Sequence, residues 1–230
     1  MACHSYQDLK VVSCKGLVCN GCGTCCTVYG NVNLHISDIV RISDHLGIDS
    51  EDFFKDFCEM HGADTDGMVY ALKIDGGCRF RVDGKCSIYG ARPDACRAYP
   101  FSIPCINRSE SLKKDFVHHS ECFIHSIEDG LVVVPDIEGM VQNHILQMID
   151  RVYMTMYGKD FDGAEAVRFH KNGMDRLNNQ KMKDMVRKKL LYEFLENSAT
   201  NAGDTAPGFT ADQVTFIYGE FAKGDYPCDI

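Results

Sequence analysis

Four cysteines lie within eight residues near the start of this chain, in the run Cys19-Asn-Gly-Cys22-Gly-Thr-Cys25-Cys26. Two residues between a pair of cysteines form a tight turn, which lets both thiolates bind the same metal ion. The adjacent pair is different, because neighbouring side chains usually diverge and would be strained on one tetrahedral ion. We therefore predict that the run bridges two adjacent centres, each of them a metal ion or an iron–sulfur cluster.

Two such centres need about eight thiolates, so about four more must come from later in the chain. Cys78, Cys86 and Cys96 follow, and one cysteine beyond them would complete the set. The predicted ligands, for either a metal ion or a cluster, are Cys19, Cys22, Cys25, Cys26, Cys78, Cys86, Cys96 and Cys122, with Cys105 or Cys228 as alternatives to the last.

Three segments around the later cysteines are also distinctive: Gly-Gly-Cys78-Arg-Phe, Gly-Lys-Cys86-Ser-Ile-Tyr and Ala-Arg-Pro-Asp-Ala-Cys96-Arg-Ala-Tyr-Pro-Phe. Together with the first run they resemble the YkgJ-type cysteine-cluster family, the CxxCxxCC proteins. The resemblance covers roughly residues 18 to 122. Because the family is described as carrying a zinc- or iron-chelating domain, the resemblance implies a zinc or iron site here. A further cysteine commonly follows the Tyr-Pro-Phe stretch in that family, a place that Cys122 fits better than Cys105.

Size and composition are those of an ordinary globular protein, since 45% of the 230 residues are hydrophobic and 25% are charged. The first residues lack the basic and apolar regions of an export signal, and no apolar run approaches the ~20 residues of a membrane span. We therefore expect a cytoplasmic protein without membrane contact. The formal net charge of −9 disfavours nucleic-acid binding, which requires a cationic surface.

The cysteine content argues against a disulfide scaffold. Thirteen is an odd number, the expected compartment is reducing, and a chain of this length needs no covalent staples. Disulfides remain an alternative. The cysteines outside the ligand pattern are predicted to be small apolar core residues or surface thiols, and they are Cys3, Cys14, Cys58 and Cys228.

Residues near the predicted ligands would tune or shield the centre. Four arginines either compensate the charge of the thiolates or are solvated on the surface: Arg79, Arg81, Arg92 and Arg97. Three histidines either offer a nitrogen ligand or have surface and packing roles: His118, His119 and His125. The apolar and aromatic residues expected to exclude water are Phe80, Ile88, Tyr89, Tyr99 and Phe101.

The sequence predicts an α+β protein that is mainly α, in two parts. Residues 1–130 form a cysteine-cluster metal-binding domain with short helices and a small sheet. Residues 131–230 form a helical domain or extension that packs against it. The run Arg81-Val-Asp-Gly-Lys predicts a turn that brings Cys78 and Cys86 onto one site. Hydrophobic alternation predicts a strand at 68–74, and further strands are predicted at 10–13, 114–118 and 131–134.

Helices are predicted from their caps and from apolar residues at helical spacing. Ser37 is the predicted N-cap of the first helix, which Gly47 ends, and Arg92-Pro93 opens a short helix that carries Cys96. One apolar stripe in the C-terminal part consists of Met182, Met185, Val186, Leu190 and Phe194. The further predicted helices span 49–58, 137–157, 161–170 and 175–197, with a last helix capped by Thr210.

The ligand spacing favours iron–sulfur over zinc without deciding between them. Zinc fingers usually place their ligands as two nearby C-x2-C turns, whereas only the first half of this pattern has one. The widely spread Cys78, Cys86 and Cys96 suit a larger inorganic core that is reached from several directions. Two [4Fe-4S] clusters, one fused cluster and two zinc ions all stay open as cofactors.

Three functions are compatible with such a centre. The first is an iron–sulfur protein that transfers electrons to a redox partner protein or does cluster-based redox chemistry, as an oxidoreductase or another metalloenzyme would. The second is a zinc-binding structural or interaction module with two four-cysteine sites. The third, protein-lysine methylation, is implied only by the resemblance, because the family includes flagellin lysine-N-methylase. The sequence indicates no catalytic residue and no oligomeric state, and it lacks the glycine motifs of nucleotide-binding enzymes.

Overall fold

The computed structural model describes residues 10–17, 19–28, 31–63, 67–102, 106–117, 120–158, 160–200 and 209–223. Across these residues, nine α-helices accompany three sheets of two or three strands, which confirms the predicted α+β class with mainly helical content. The chain divides into two compact units: unit 1 comprises residues 1–20, 100–141 and 184–230, and unit 2 comprises residues 21–99 and 142–183. The predicted boundary at residue 130 stays a prediction.

The strands are β1 Lys10–Ser13, β2 Asn33–Leu34, β3 Cys58–Ala63, β4 Gly67–Leu72, β5 Arg81–Val82, β6 Lys85–Cys86, β7 Asn107–Arg108 and β8 Leu131–Val134. The helices are α1 Cys25–Val28, α2 Ile36–Leu46, α3 Ser50–Phe57, α4 Asp94–Ala98, α5 Ser109–Asp115, α6 Ile137–Tyr157, α7 Gly163–Leu177, α8 Gln180–Thr200 and α9 Ala211–Lys223. Strands β1 and β8 and helix α6 match the predicted ranges residue for residue.

Unit 1 contains a sheet of order β1-β8-β7, in which β1 runs parallel to β8 and β7 runs antiparallel to it. All four residues of the central strand β8 are buried, as in strands that are covered on both faces. On α8, Val186, Leu190 and Phe194 form the predicted buried stripe, and the Phe194 ring meets that of Tyr218 in α9 at 5.8 Å. The predicted place of Met185 in this stripe is wrong, because its side chain is 55% exposed.

The predicted strand at 114–118 is wrong, because the described chain forms helix α5 as far as Asp115. A glutamate in the first turn and two lysines in the last turn complement the helix dipole. Two side chains at the start of α5 accept hydrogen bonds from the backbone that leads into β8. The Gly130 N–H donates to Glu110 at 2.6 Å, and the Leu131 N–H donates to the Ser109 hydroxyl at 3.2 Å. These contacts with a distant segment favour the helix over the strand.

Unit 2 is built around the antiparallel sheet β2-β4-β3. Its core is aromatic: Phe53 of α3 is fully buried and stacks on Phe57 and Phe80 with ring centroids 5.2 and 6.4 Å apart. Tyr70 of β4 meets Phe161 edge-on at 5.9 Å. Residues from the second half of α6 and from α7 belong to the same core, and two of the predicted cysteine ligands pack against it. The helices of unit 2 that come late in the sequence therefore stabilise its cysteine-bearing segments.

Helix α2 begins earlier than predicted, with His35 rather than Ser37 as its N-cap. The backbone N–H of His35 donates to the Asp38 carboxylate at 3.0 Å. Asp38, at the third helical position, thus satisfies a backbone donor just before the helix, as in a capping box. Gly47 ends the helix as predicted, in the left-handed conformation with φ of 68°.

Two helices late in the chain have bounds that differ from the prediction. Helix α7 continues to Leu177 and α8 begins at Gln180, whereas the sequence predicts a break between residues 170 and 175. Asn179 precedes the first residue of α8 and caps this helix. Its side-chain oxygen accepts the Met182 N–H at 3.1 Å and so satisfies a donor in the first turn. Thr210 caps α9 as predicted, through a 3.2 Å bond to its hydroxyl from the N–H of the residue three positions later.

A buried ion pair joins α2 to α6 within unit 2. His35 Nδ1 donates to Asp150 at 2.7 Å, and His35 Nε2 lies 2.5 Å from Asn143 Oδ1. Burial by itself lowers the pKa of His35, but the hydrogen bond and charge of Asp150 outweigh burial, so that the pKa is raised above 6.5. Two oxygen acceptors on opposite sides of the ring require a proton on both nitrogens, which agrees with the raised pKa.

We expect this pair to make stability depend on pH. Because the folded pKa of His35 is raised, its stabilisation is complete below about pH 6.5, the value for an unfolded histidine, and is lost as the pH rises through the folded pKa. The free energy of unfolding should therefore fall with pH in this window, by at most about 1.4 kcal/mol per pH unit. Chemical denaturation in reducing buffer at a series of pH values measures the profile.

The Asp150→Asn variant should have a flatter profile in the same window. The matched control is His61→Gln, which removes a histidine whose ring also contacts a carboxylate, that of Glu59, on a half-exposed strand. This control should keep the profile of the wild type. An Asp150→Asn profile as steep as that of the wild type would contradict the assignment to the buried pair.

Candidate metal centre

The loop that carries the first cysteines of unit 2 lies directly against the β5–β6 hairpin. Gly21 and Gly23 have φ of 72° and 73°, a left-handed conformation that glycine adopts without strain. A Cβ at position 23 would lie 2.9 Å from the Gly84 oxygen and 3.0 Å from Arg81 Nε. Only glycine allows this close approach, after which the chain enters α1 at Cys25.

The hairpin places Cys78 and Cys86 on the two sides of one turn, as the sequence predicts. Asp83 and Gly84 at its tip have φ of 50° and 77°, the conformation of the two-residue turns that join twisted strands. Gly77, at φ of 138°, comes directly before Cys78 and gives the chain the sharp bend that delivers this cysteine.

Three thiols of unit 2 influence one another's pKa. The Cys78 backbone N–H donates to the Cys26 carbonyl at 3.2 Å, which brings the two segments together. Hydrogen bonding with Cys25 raises the pKa of the Cys26 thiol, and hydrogen bonding with Cys26 raises that of the Cys78 thiol. Two further cysteines lie close enough to interact electrostatically with these. We call the set the five-cysteine group: Cys25, Cys26, Cys78, Cys86 and Cys96.

Thiols of this group hold their protons more firmly than ordinary thiols. Hydrogen-bond donation to Cys25 is the largest cause that raises the pKa of Cys26 from 9.0 to about 11. The hydrogen bond to Cys26 raises the pKa of Cys78, and burial raises that of Cys96 to about 12. Thiolates side by side repel one another, so deprotonating the group at neutral pH requires a nearby cation. A bound metal supplies such a charge.

The immediate surroundings of the group suit sulfur ligands. The Arg81 backbone N–H donates to the Cys78 carbonyl at 3.0 Å, and the backbone N–H groups of Phe80 and Arg81 lower the pKa of the Cys78 thiol against the larger effects that raise it. Phe80 and Ile88 are 6% and 1% exposed and keep water away from this side, as predicted. Tyr89 is 41% exposed, so its predicted role as a shield is wrong.

Of the four arginines predicted near the ligands, Arg92 acts on a thiol, because its positive charge lowers the pKa of Cys96 against the larger effect of burial. Arg81 lies against the loop at the close approach described above. Arg79 and Arg97 instead donate to backbone carbonyls at 2.6 to 3.0 Å. Their described contacts are structural.

A buried carboxylate outside the predicted set holds the helix that carries Cys96. Asp38 is fully buried, and it accepts the N–H of Asp94, the first residue of α4, at 3.1 Å. Arg41 donates to Asp38 and, at 2.9 Å, to Asp94. Burial and then the charge of Asp94 raise the pKa of Asp38. The sequence signals the pair of Asp38 and Arg41 by their helical spacing, but it contains no local signal for the contact with α4.

The remaining predicted ligands divide between the two units. Cys22 belongs to unit 2, where its sulfur lies 3.3 Å from the hydroxyl of the next threonine. Cys19 and Cys122 belong to unit 1. Their neighbours are in contact, because the Asn20 side chain donates to the Glu121 carbonyl. The complete set of eight ligands and its division between two centres stay predictions.

Cysteines outside the ligand pattern behave as predicted where the structure describes them. Cys58 is 4% exposed in the hydrophobic core of unit 2, and burial raises its pKa to about 12. Burial also raises the pKa of Cys14 to about 11. His125 has a packing role, with Nε2 2.9 Å from a backbone carbonyl. The predicted residues that lie outside the described ones are Cys3, Cys105, Cys228, His118 and His119.

The donor set fits a thiophilic metal in its chemistry. All ten cysteines in the described part of the chain are thiols rather than disulfides, and soft thiolate ligands select zinc and iron–sulfur clusters over magnesium or calcium. Among the described residues, no three His, Cys, Asp or Glu side chains are already arranged around one ion position. The sulfurs of the five-cysteine group would therefore have to move to coordinate a metal.

A comparison of the sequence with known protein families matches the segment that carries these cysteines. The CxxCxxCC family model, described as "Putative zinc- or iron-chelating domain", matches residues 18–123. This match confirms the resemblance that the sequence shows, and the matched range contains all eight predicted ligands. Searches of the curated proteins and of the solved structures gave no significant match. In the described ranges, no helix combines the length and the apolar character that a membrane span requires.

Proposed function

We propose that the cysteines of this domain hold two adjacent iron–sulfur centres and that the protein transfers electrons to a redox partner protein. The observation that carries the proposal is the convergence of the five-cysteine group from three separate segments: α1, the β5–β6 hairpin and α4. Ligands that reach one region from several directions suit a core larger than a single ion. The family description supports metal chelation in general.

The protein's own residues would set the properties of such a centre. An iron–sulfur cluster supplies one-electron redox chemistry when bound. The backbone N–H groups that face Cys78 and the cation of Arg92 near Cys96 stabilise negative charge on sulfur, which raises a reduction potential. Phe80 and Ile88 exclude water and so strengthen both effects.

A zinc-binding structural module is the second candidate, and one observation favours it. Four sulfurs at about 2.3 Å from one zinc ion stand about 3.8 Å apart. This separation suits the pair of sulfurs on Cys26 and Cys78, because a 3.2 Å backbone hydrogen bond joins their two segments. Protein-lysine methylation is not proposed, because nothing among the described residues supports a site for methyl transfer.

The metal and sulfide content of protein purified without oxygen tests the proposal. We expect a brown protein that absorbs near ~400 nm and contains iron and acid-labile sulfide in similar amounts. A colourless protein with about two zinc ions per chain, after growth with ample iron, would support the second candidate instead. A protein that holds neither iron nor zinc would contradict both.

A further inference from the structure

The segment that forms the β5–β6 hairpin is positively charged, whereas the whole chain has a formal net charge of −9. Between Cys78 and Cys86 the chain contains one carboxylate, that of Asp83, and three cations: Arg79, Arg81 and Lys85. All four of these residues are exposed. Among the described residues, no carboxylate forms an ion pair with the three cations. Their charge is therefore available to a partner.

Strand pairing gives the hairpin two faces. Arg81 lies opposite Cys86, and Val82 lies opposite Lys85. Residues directly opposite each other in an antiparallel pair project to the same face, and successive residues alternate between faces. Arg81 and Cys86 share the face that lies against the loop at Gly23. The other face presents Lys85 and the 54% exposed Val82, so a cation and an apolar side chain stand together in solvent.

The cysteines next to this face are themselves accessible. Every thiol of the five-cysteine group is half-buried, and Lys85 directly precedes Cys86 in β6. A protein that docks on the hairpin would therefore lie within a few bonds of a predicted ligand. Redox complexes bury small interfaces, of about 1,200 Å² or less, so a hairpin and its surroundings offer enough surface.

We propose that the hairpin surface, residues 79 to 85, is the docking site for an acidic electron-transfer protein. The proposal rests on the proposed function in one respect, the transfer of electrons. Opposite charges speed the encounter of two proteins and fix their orientation. The excess of carboxylates over the whole chain repels an acidic partner elsewhere. Helix α8 carries exposed lysines as well, but it has no cysteine.

Chemical crosslinking tests the location of the site. The probe is a ferredoxin of net negative charge, mixed with the protein as purified without oxygen. A carbodiimide then joins lysine amines to carboxylates, and mass spectrometry of the digest identifies the linked lysines. We expect Lys85 to be the main linked lysine at low ionic strength and the link to disappear in 1 M salt, where the Debye length is about 3 Å. No link at low salt, or a main link through α8, would overturn the proposal.

Charge variants test whether local charge or net charge determines the affinity, which calorimetry measures at low ionic strength. Lys85→Glu should bind the ferredoxin about 5-fold more weakly, and Asp83→Asn about 2-fold more tightly. Asparagine tolerates the positive φ of 50° at the turn, so the hairpin keeps its shape. The matched control is Lys188→Glu, which makes the same change of charge at an exposed lysine of α8. It should bind like the wild type, and equal losses in both lysine variants would overturn the proposal.

The docking site and the proposed function fail in different ways. Crosslinking and calorimetry measure binding without electron transfer, whereas metal and sulfide analysis decides whether an iron–sulfur centre is present. A protein that holds only zinc but binds the ferredoxin through Lys85 would support the docking surface and contradict electron transfer. An iron–sulfur protein whose affinity for the ferredoxin is unchanged by Lys85→Glu would keep the proposed function and overturn the docking site.

Discussion

A Cys26→Ser variant is expected to lose most of its metal, with an affinity at least ~100-fold below that of the wild type, because even residues that only support a ligand cost 10–100-fold. A serine hydroxyl stays protonated at neutral pH and binds soft metals poorly. The Cys26 thiol also influences, and is influenced by, the thiols of Cys25 and Cys78. Its replacement removes one ligand and its interactions with two others.

Metal content and thermal unfolding measure this effect. Because metal binding and folding are coupled in small metal domains, the variant should also unfold at a lower temperature, and a chelator should destabilise it less than it does the wild type. Cys25→Ser should behave in the same way. Cys3→Ser is the control, since Cys3 falls outside the ligand spacing, and it should be nearly silent. Small and equal losses of metal in all three variants would contradict the ligand assignment.

Elements with strong local signals could be predicted from the sequence. The four apolar residues of β8 and the long apolar pattern of α6 give the observed bounds directly. The Asp83-Gly84 pair specifies a tight hairpin turn, because few residues adopt positive φ and glycine does so without strain. These features depend on residues that are neighbours in the chain, so their physical cause is visible in the sequence.

The errors arise where a distant residue decides the local structure. The segment before residue 116 is helical because Ser109 and Glu110 accept N–H groups from the chain near β8. The start of α2 depends on Asp38, whose carboxylate also accepts from α4, 56 positions away. Single-sequence patterns contain no record of such contacts, so a local preference for a strand or for a serine cap misleads.

The candidate site also combines local features that the sequence predicts with distant contacts that it does not predict. Cysteine spacing predicts the loop, the hairpin and the short helix that bring Cys26, Cys78 and Cys96 into one group, because glycines and turns near each cysteine are local features. The spacing does not predict which thiols contact each other. It also does not reveal that each unit combines segments from separate parts of the chain, since that depends on the packing of whole helices.

An Asp38→Asn variant is expected to lower the free energy of unfolding by about 3 kcal/mol, because it leaves buried donors unsatisfied. One carboxylate oxygen of Asp38 accepts the His35 N–H, and the other accepts from Asp94 and Arg41. An asparagine has one oxygen and must turn its NH₂ toward one of these two sets of donors. Either orientation leaves the backbone N–H at the start of one helix, α2 or α4, without its acceptor. If the helix affected is α4, Cys96 loses its fixed position.

Thiol labelling distinguishes this positioning role from a general loss of stability. In metal-free protein under native conditions, Asp38→Asn should accelerate the alkylation of Cys96 more than that of Cys58, which lies in the core of the same unit. The matched control is Asp49→Asn, because Asp49 caps α3 through the Glu51 N–H at 2.8 Å but makes no described contact with α4. Equal acceleration of both thiols would mean that Asp38 only stabilises the fold. Selective acceleration of Cys96 would show that a buried carboxylate positions a sulfur of the metal site.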